Sequence, residues 1–317
     1  MMKAVILAAG KGSRLYPVTH FVPKPLLPVA GKPILVHAFS QLEAMNIKEV
    51  CVVRGKDHEE MESYLRAANL TGLKIHFAIQ AEQKGLAHAL QSAREFIKED
   101  PFVLYLGDAI YETTLEKVAK EFLESKCDNL NLVKPVLDPE RYGVAILEKG
   151  RIIELEEKPV SPKSNLAMAG IYWFTSKIWK VLEELKPGKR GEHEITDAIK
   201  CLIDQGDNVR GCVYQNKWFD TGTLSSFLEA NRYLSKGKNF ISSDFQGDIE
   251  VGENVFIGSN VKLECKRISD SVILDGSSIK VNGTIEKSLL GGAIFSEDSL
   301  DSELLFHFSS MTVPVPQ

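Results

Sequence analysis

A short N-terminal loop holds the first residues that could do chemistry. The run Val5-Ile6-Leu7-Ala8-Ala9-Gly10-Lys11-Gly12-Ser13-Arg14-Leu15 reads as a buried strand feeding a turn rich in glycine and positive charge. Gly10 and Gly12 let backbone approach a ligand, and Lys11 and Arg14 add two cations. Backbone N–H groups beside cations make an anion site, and phosphate is the natural anion. The spacing is neither that of a Walker A loop nor that of a dinucleotide fingerprint, because Leu15 stands where the third glycine would be. A second cation, Lys24, sits among Pro23, Pro25 and Pro28, which predict a stiff extended loop without helix. Arg14 as a fork and Lys24 as a point charge could clamp a triphosphate. A solvated lysine in a proline-rich connector is the plain alternative.

Two carboxylates extend this chemistry. Asp108 follows a buried strand and a glycine, and Asp220 lies in Trp218-Phe219-Asp220-Thr221-Gly222-Thr223 before a helix. Mg²⁺ binds through one or two carboxylates plus substrate phosphates, so the pair suits a phosphate-bound metal. Turn formation by Asp108 and helix capping by Asp220 are the competing roles. Gln80 ends a strand just before Gly85; its amide could read a pyrimidine edge, and Gly85 could admit a base to the backbone. Glu157 could accept from sugar hydroxyls and Lys158 could hold a sugar phosphate. A surface glutamine and an exposed ion-pair-rich strand end are the ordinary alternatives.

These residues need a scaffold that presents loops at one sheet edge. Helical spacing over Ile34–Met45, a strand at Glu49–Val53, a helix opened by Asp57 and Glu60, a strand at Leu73–Ile79, a helix over Leu86–Ile97 and a strand at Phe102–Leu106 alternate. That order predicts a parallel sheet with helices on both faces and ligands beyond the strands' carboxyl ends. A hairpin is expected around Glu148-Lys149-Gly150, then a strand at Leu166–Phe174, two helices, a strand at Asn208–Tyr214 and a helix at Phe227–Leu234. Beyond about Ser235, Val251, Ile257 and Leu263 fall six residues apart, and Ile273, Ile279 and Ile285 repeat the spacing after a shift. Such hexads suggest a parallel β-helix of few coils. The final residues, Thr312–Gln317, read as a frayed end.

Composition bounds the function. The net charge of −5 argues against general nucleic-acid binding. No apolar run approaches the ~20 residues of a membrane span, and no signal peptide is evident. Five scattered cysteines without a C-x-x-C pair point to reduced thiols and a cytoplasmic location.

Taken in order, Leu7–Pro17, Lys24-Pro25-Leu26-Leu27-Pro28, Gly85-Leu86-Ala87-His88-Ala89, Leu106-Gly107-Asp108, Asp138–Val144, Glu157-Lys158-Pro159, Gly191–Asp197 and Asp220-Thr221-Gly222 resemble the sugar nucleotidyltransferases. Within them, the pattern is similar to the long-form glucose-1-phosphate thymidylyltransferases with a β-helical tail. The resemblance implies an α/β fold. A Rossmann-like, mostly parallel nucleotidyltransferase domain would span residues 1–235, and a short left-handed β-helix-like domain residues 236–317. It implies that Leu7, Ala8, Ala9, Gly10, Gly12 and Ser13 line the nucleotide, with Gln80 and Gly85 reading the base. Arg14, Lys24, Asp108 and Lys158 would be catalytic, and Asp108 and Asp220 would hold Mg²⁺. Tyr142, Gly143, Glu157, Met168, Tyr172 and Glu192 would line the sugar pocket, with Lys158 on its phosphate. The implied reaction joins dTTP or UTP to a sugar 1-phosphate, foremost glucose 1-phosphate, in a homo-oligomer with no nucleic-acid or membrane partner. Two departures bear on preference: Gly107-Asp108-Ala109 replaces the family's Gly-Asp-Asn, and Ala9-Gly10 its frequent Gly-Gly. A uridylyltransferase making UDP-glucose or UDP-N-acetylglucosamine, and a silent nucleotide-sugar-binding regulator, are the rival readings.

Overall fold

The structure, a computed structural model, describes residues 2–68 and 71–307. The expected frayed end at 312–317 lies outside them. Contacts group the chain into two compact units. One comprises the residues up to Gly10 with Leu35–Trp218; the other comprises Lys11–Ile34 with the chain from Phe219 onward. This grouping does not follow the expected division at residue 235: Lys11–Ile34 and Phe219–Ser235 group with the later chain.

The first unit is built on nine strands: β1 (Lys3–Ala8), β2 (Glu49–Gly55), β3 (Lys74–Gln80), β4 (Phe102–Leu106), β5 (Asn129–Pro135), β6 (Gly143–Glu148), β7 (Arg151–Glu157), β8 (Leu166–Phe174) and β9 (Val209–Val213). Their order is β3-β2-β1-β4-β8-β5-β9-β7-β6. β3, β2, β1 and β4 run parallel, which is why Val5, Ile6 and Leu7 are apolar without alternation: both faces are covered. The antiparallel β8 sits between β4 and β5. Its register slips between Met168 and Tyr172, where Gly170 takes φ 78° and interrupts the ladder. The β6–β7 hairpin turns at Lys149 and Gly150, both with positive φ. Trp179, from the helix Ile178–Glu184, stacks on Phe102 at 5.4 Å. The expected helix over Leu86–Ile97 is two short helices, Leu86–Gln91 and Arg94–Ile97.

Among the described residues, no helix is long and apolar enough to cross a membrane.

In the second unit, short strands stack in three parallel ladders. One aligns Ile257, Ile273, Leu290 and Leu305; another aligns Leu263, Ile279 and Ile294; the third aligns Val251, Ile268, Ile285 and Leu300. These residues form one apolar cluster. The hexad holds from Val251 to Leu263, but the steps to Ile268 and Ile273 are five residues. One corner recurs through the coils. Asn254, Asp270, Lys287 and Ser302 recur at one position in successive passes, all with left-handed φ of 44–61°. The Asn254 side chain donates to Asp270 Oδ1 at 2.9 Å.

Ile273 is fully buried between Ile257 and Leu290. Ile273→Ala is expected to cost about 2–5 kcal/mol in chemical denaturation. A cost below about 0.5 kcal/mol would mean that this ladder is not packed as described.

Candidate active site

β1 and β4 are neighbours, with Leu7 opposite Leu106. The Gly107 N–H donates to the Leu7 carbonyl at 2.9 Å. A Cβ on Gly107 would stand 2.8 Å from that oxygen, so glycine alone permits the closure. Asp108 emerges there, beside the chain leaving β1 through Ala8, Ala9 and Gly10 at the strands' carboxyl ends. A Cβ on Gly10 would meet nothing within 4 Å. Behind Asp108 lie buried phenols. Tyr105 Oη donates to the Ala109 carbonyl at 3.0 Å, and Tyr111 Oη donates to the Ala169 carbonyl. Burial, reinforced by neighbouring groups that include Asp108, pushes the Tyr105, Tyr111 and Tyr172 hydroxyls above the usual phenol range.

The expected base-reading loop is braced by the chain itself. Gln80 is buried at the end of β3, and its Nε2 donates to the Gly85 carbonyl at 3.2 Å. Gln83, which sequence reasoning did not single out, donates its Nε2 to the Ala9 carbonyl at 2.7 Å. The His193 N–H donates to the Lys84 carbonyl at 2.7 Å, and the Ala87 N–H to the His193 carbonyl at 2.9 Å. Gly85 has φ 106°, and a Cβ there would stand 2.5 Å from the His193 oxygen. This glycine is demanded by its own backbone neighbour, whatever else it admits.

Most of the expected sugar-side residues meet. Gly143 and Glu157 are register partners. A Cβ on Gly143 would stand 2.5 Å from Thr196 Cγ2 and 3.2 Å from both Glu157 Oε2 and Met168 Cγ. Thr196 Oγ1 donates to Glu157 Oε2 at 2.9 Å. Arg190 Nη1 lies 3.5 Å from Glu157 Oε1 and 3.1 Å from Glu194 Oε1, and Lys158 Nζ lies 3.6 Å from Glu157 Oε1. Burial first, then the Glu157 charge, raises the Glu194 carboxyl above its usual range, with Arg190 opposing. Lys158 has φ 43°, strained for a lysine, and its N–H donates to the Tyr142 carbonyl at 3.0 Å. The Tyr142 ring packs edge-on to Trp218 at 5.3 Å. Tyr172 is buried and feels the Glu157 charge. The Glu192 carbonyl accepts from the Gly188 N–H at 2.8 Å, its charge adds to those acting on Glu194, and the Glu194 carboxylate pairs with Arg190. Arg190, Glu194 and Thr196 were missed, although the last two lie in the same Gly191–Asp197 motif.

The other expected residues belong to the second unit. Gly12 is left-handed (φ 62°, ψ 31°), and Thr19 Oγ1 donates to its carbonyl at 2.8 Å. A Cβ on Gly12 would stand 3.1 Å from Thr19 Cγ2 and 3.2 Å from Lys24 Cβ. Ser13 and Arg14 lie exposed in a single 3₁₀ turn, Ser13–Leu15. Lys24 is buried and opens a second such turn, Lys24–Leu26, which corrects the expectation of a purely extended loop. Pro25 occupies the start of that turn, where no backbone donor is needed. At Gly222, a Cβ would press on the Arg14 guanidinium, 2.9 Å from Cζ, and stand 2.9 Å from Asp220 Oδ1. The absent side chain therefore lets Arg14 and Asp220 converge. Thr223 caps the helix Leu224–Ser235 through a reciprocal box with Ser226, so the capping role weighed for Asp220 is filled by another residue.

Two glycines give contrasting expectations. Gly85→Ala should lower stability by about 1–3 kcal/mol, through positive φ and backbone collision. Gly10→Ala should stay within about 0.5 kcal/mol. Thermal unfolding separates them, and equal effects would contradict the loop geometry.

The Nucleotidyl transferase family pattern matches residues 3–237. A glucose-1-phosphate thymidylyltransferase of Streptomyces griseus is 34% identical over 326 residues, covering 92% of this chain and 92% of the relative. AglF of Haloferax volcanii, a UTP–glucose-1-phosphate uridylyltransferase, is 43% identical over 238 residues, covering 74% of this chain and 97% of the relative. A Bacillus anthracis structure assigned as a glucose-1-phosphate thymidylyltransferase, in complex with sucrose, aligns with a TM-score of 0.70 at 37% identity, covering 74% of this chain and 96% of that one. A parallel sheet with its glycine-bearing loop after β1, and a family pattern spanning all nine of its strands, lead to one conclusion: the chain belongs to the nucleotidyl transferase family.

Proposed function

We propose that this protein transfers a nucleotidyl group from dTTP or UTP to a sugar 1-phosphate, with glucose 1-phosphate as the principal acceptor. The observation that carries the reading is the convergence of Arg14 and Asp220 across Gly222. A guanidinium beside a carboxylate suits a triphosphate carried with a divalent cation. The named activities of the Streptomyces griseus and Haloferax volcanii relatives support both the acceptor and the two candidate bases.

In this reaction a phosphate oxygen of the sugar 1-phosphate attacks the α-phosphorus, and pyrophosphate leaves in line. No protein nucleophile is needed; the work is positioning and charge stabilisation. Backbone at Leu7, Ala8, Ala9, Gly10, Gly12 and Ser13 lines the nucleotide, with Gln80 and Gly85 at the base. Arg14 and Lys24 stabilise the triphosphate and the departing pyrophosphate. Lys158 holds the sugar phosphate, while Tyr142, Gly143, Glu157, Met168, Tyr172 and Glu192 surround the sugar. Among the described residues no cluster of three or more His, Cys, Asp or Glu could enclose a metal. Mg²⁺ arriving with a triphosphate needs only one or two protein carboxylates, and the family reading offers Asp108 and Asp220 for that role. The bound ion would neutralise phosphate charge. The three C-terminal ladders support a short left-handed β-helix, and the family reading extends to a homo-oligomer.

The test is pyrophosphate release with dTTP, UTP, CTP, GTP and ATP against glucose, N-acetylglucosamine and mannose 1-phosphates, with Mg²⁺ or a chelator. Turnover with glucose 1-phosphate and dTTP or UTP, abolished by chelation, is expected. Asp108→Asn and Asp220→Asn should each lower kcat by about 10²–10³-fold. Gly222→Ala should lower kcat at least about 10-fold with the fold retained, because its methyl displaces Arg14. Folded protein without turnover in any combination would overturn the reading.

A further inference from the structure

The helix Val18–Phe21 lies between the turns that carry Arg14 and Lys24. On one side Thr19 packs against Gly12, near the Lys24 side chain. On the other side the Phe21 ring stacks on Phe306, with centroids 4.4 Å apart and planes at 22°. Edge contacts from Tyr16 to His20 (6.1 Å) and from His20 to Phe21 (5.1 Å) continue the ring series back to within two residues of Arg14. Phe306 has a built seat. It lies in the strand Leu304–His307, opposite Gly291, and a Cβ on Gly291 would stand 2.5 Å from its Cδ2. The end of the same N-terminal segment is held in the same manner. The Phe240 ring lies against Gly31, and the Ala30 N–H donates to Asn231 Oδ1 at 2.9 Å.

We propose that Phe306, in the last described strand, is a positioning residue for the triphosphate. By fixing Phe21 it fixes the helix Val18–Phe21, and through Thr19 the Gly12 turn that orients Arg14 and Lys24. The C-terminal strands thereby act on substrate geometry as well as on their own packing. The inference rests on the assignment of Arg14 and Lys24 to the triphosphate.

The experiment uses the full chain and reads dTTP–Mg²⁺ and UTP–Mg²⁺ affinity by calorimetry without sugar phosphate, alongside KM for each substrate. Phe306→Ala should weaken triphosphate affinity and raise its KM by about 2- to 10-fold, the worth of one aromatic stack. The KM for the sugar 1-phosphate should not change, and Phe306→Tyr should restore the wild-type value. Phe21→Ala, on the other side of the stack, carries the same expectation if Phe306→Ala fails to fold. The double variant should be no worse than either single one. Folded Phe306→Ala with wild-type triphosphate affinity, or with both KM values raised equally, overturns the proposal. Wild-type protein that binds no triphosphate removes the functional reading and this inference together, whereas binding that survives the substitution removes only the inference.

Discussion

The hydrogen bond from the Gly107 amide to the Leu7 carbonyl is the contact that shapes the carboxyl-end edge of the first unit's sheet, where the proposed chemistry would take place. It exists because residue 107 has no side chain. It closes β4 onto β1 where both strands end, and so brings Asp108 beside Ala8 and Ala9 at one sheet edge. Tyr105 secures the far side of the same turn through the Ala109 carbonyl. Glycine permits comparable close approaches at 85, 143 and 222, and each sets a polar group that side-chain bulk would displace. For phosphoryl chemistry without a protein nucleophile, such fixed placement is the main contribution a scaffold can make.

The cluster of Arg190, Glu194, Thr196 and Lys158 shows how charge is balanced around Glu157. Its two oxygens are divided between Thr196 on one side and the cations Arg190 and Lys158 on the other. Glu194 shares Arg190, and the raised affinity of its carboxyl for a proton reflects burial beside a second carboxylate. One guanidinium thus relieves two acidic groups.

The parallel half of the sheet was legible because Val5–Leu7 and Phe102–Leu106 are continuous apolar runs, and the hairpin because Lys149-Gly150 is a turn dipeptide. The helix Glu116–Glu124 and strand β5 went unread. In β5, Asn129 and Asn131 look like loop residues, yet both are fully buried; Asn129 donates to the Trp173 carbonyl, and Asn131 to Asn129. The hexads were readable in two runs, Val251 to Leu263 and Ile273 to Ile285; the five-residue steps through Ile268 that join them carry no glycine to announce the change of spacing. Of the site, the Gly10–Arg14 loop, Asp108, Glu157 and Lys158 could be picked out by residue type. Arg190, Glu194, Thr196 and Gln83 could not, because their partners are set by tertiary packing and not by local sequence.

The proposed attack of the sugar phosphate on the α-phosphorus of the triphosphate leaves a signature in where its oxygens end. The most direct measurement follows heavy-oxygen-labelled phosphate of glucose 1-phosphate through one turnover with dTTP or UTP, with both products read by mass spectrometry. Every labelled oxygen is expected to remain in the nucleotide sugar, one of them bridging the two phosphorus atoms, with pyrophosphate unlabelled. Label in pyrophosphate, or folded protein that forms no nucleotide sugar, would contradict it.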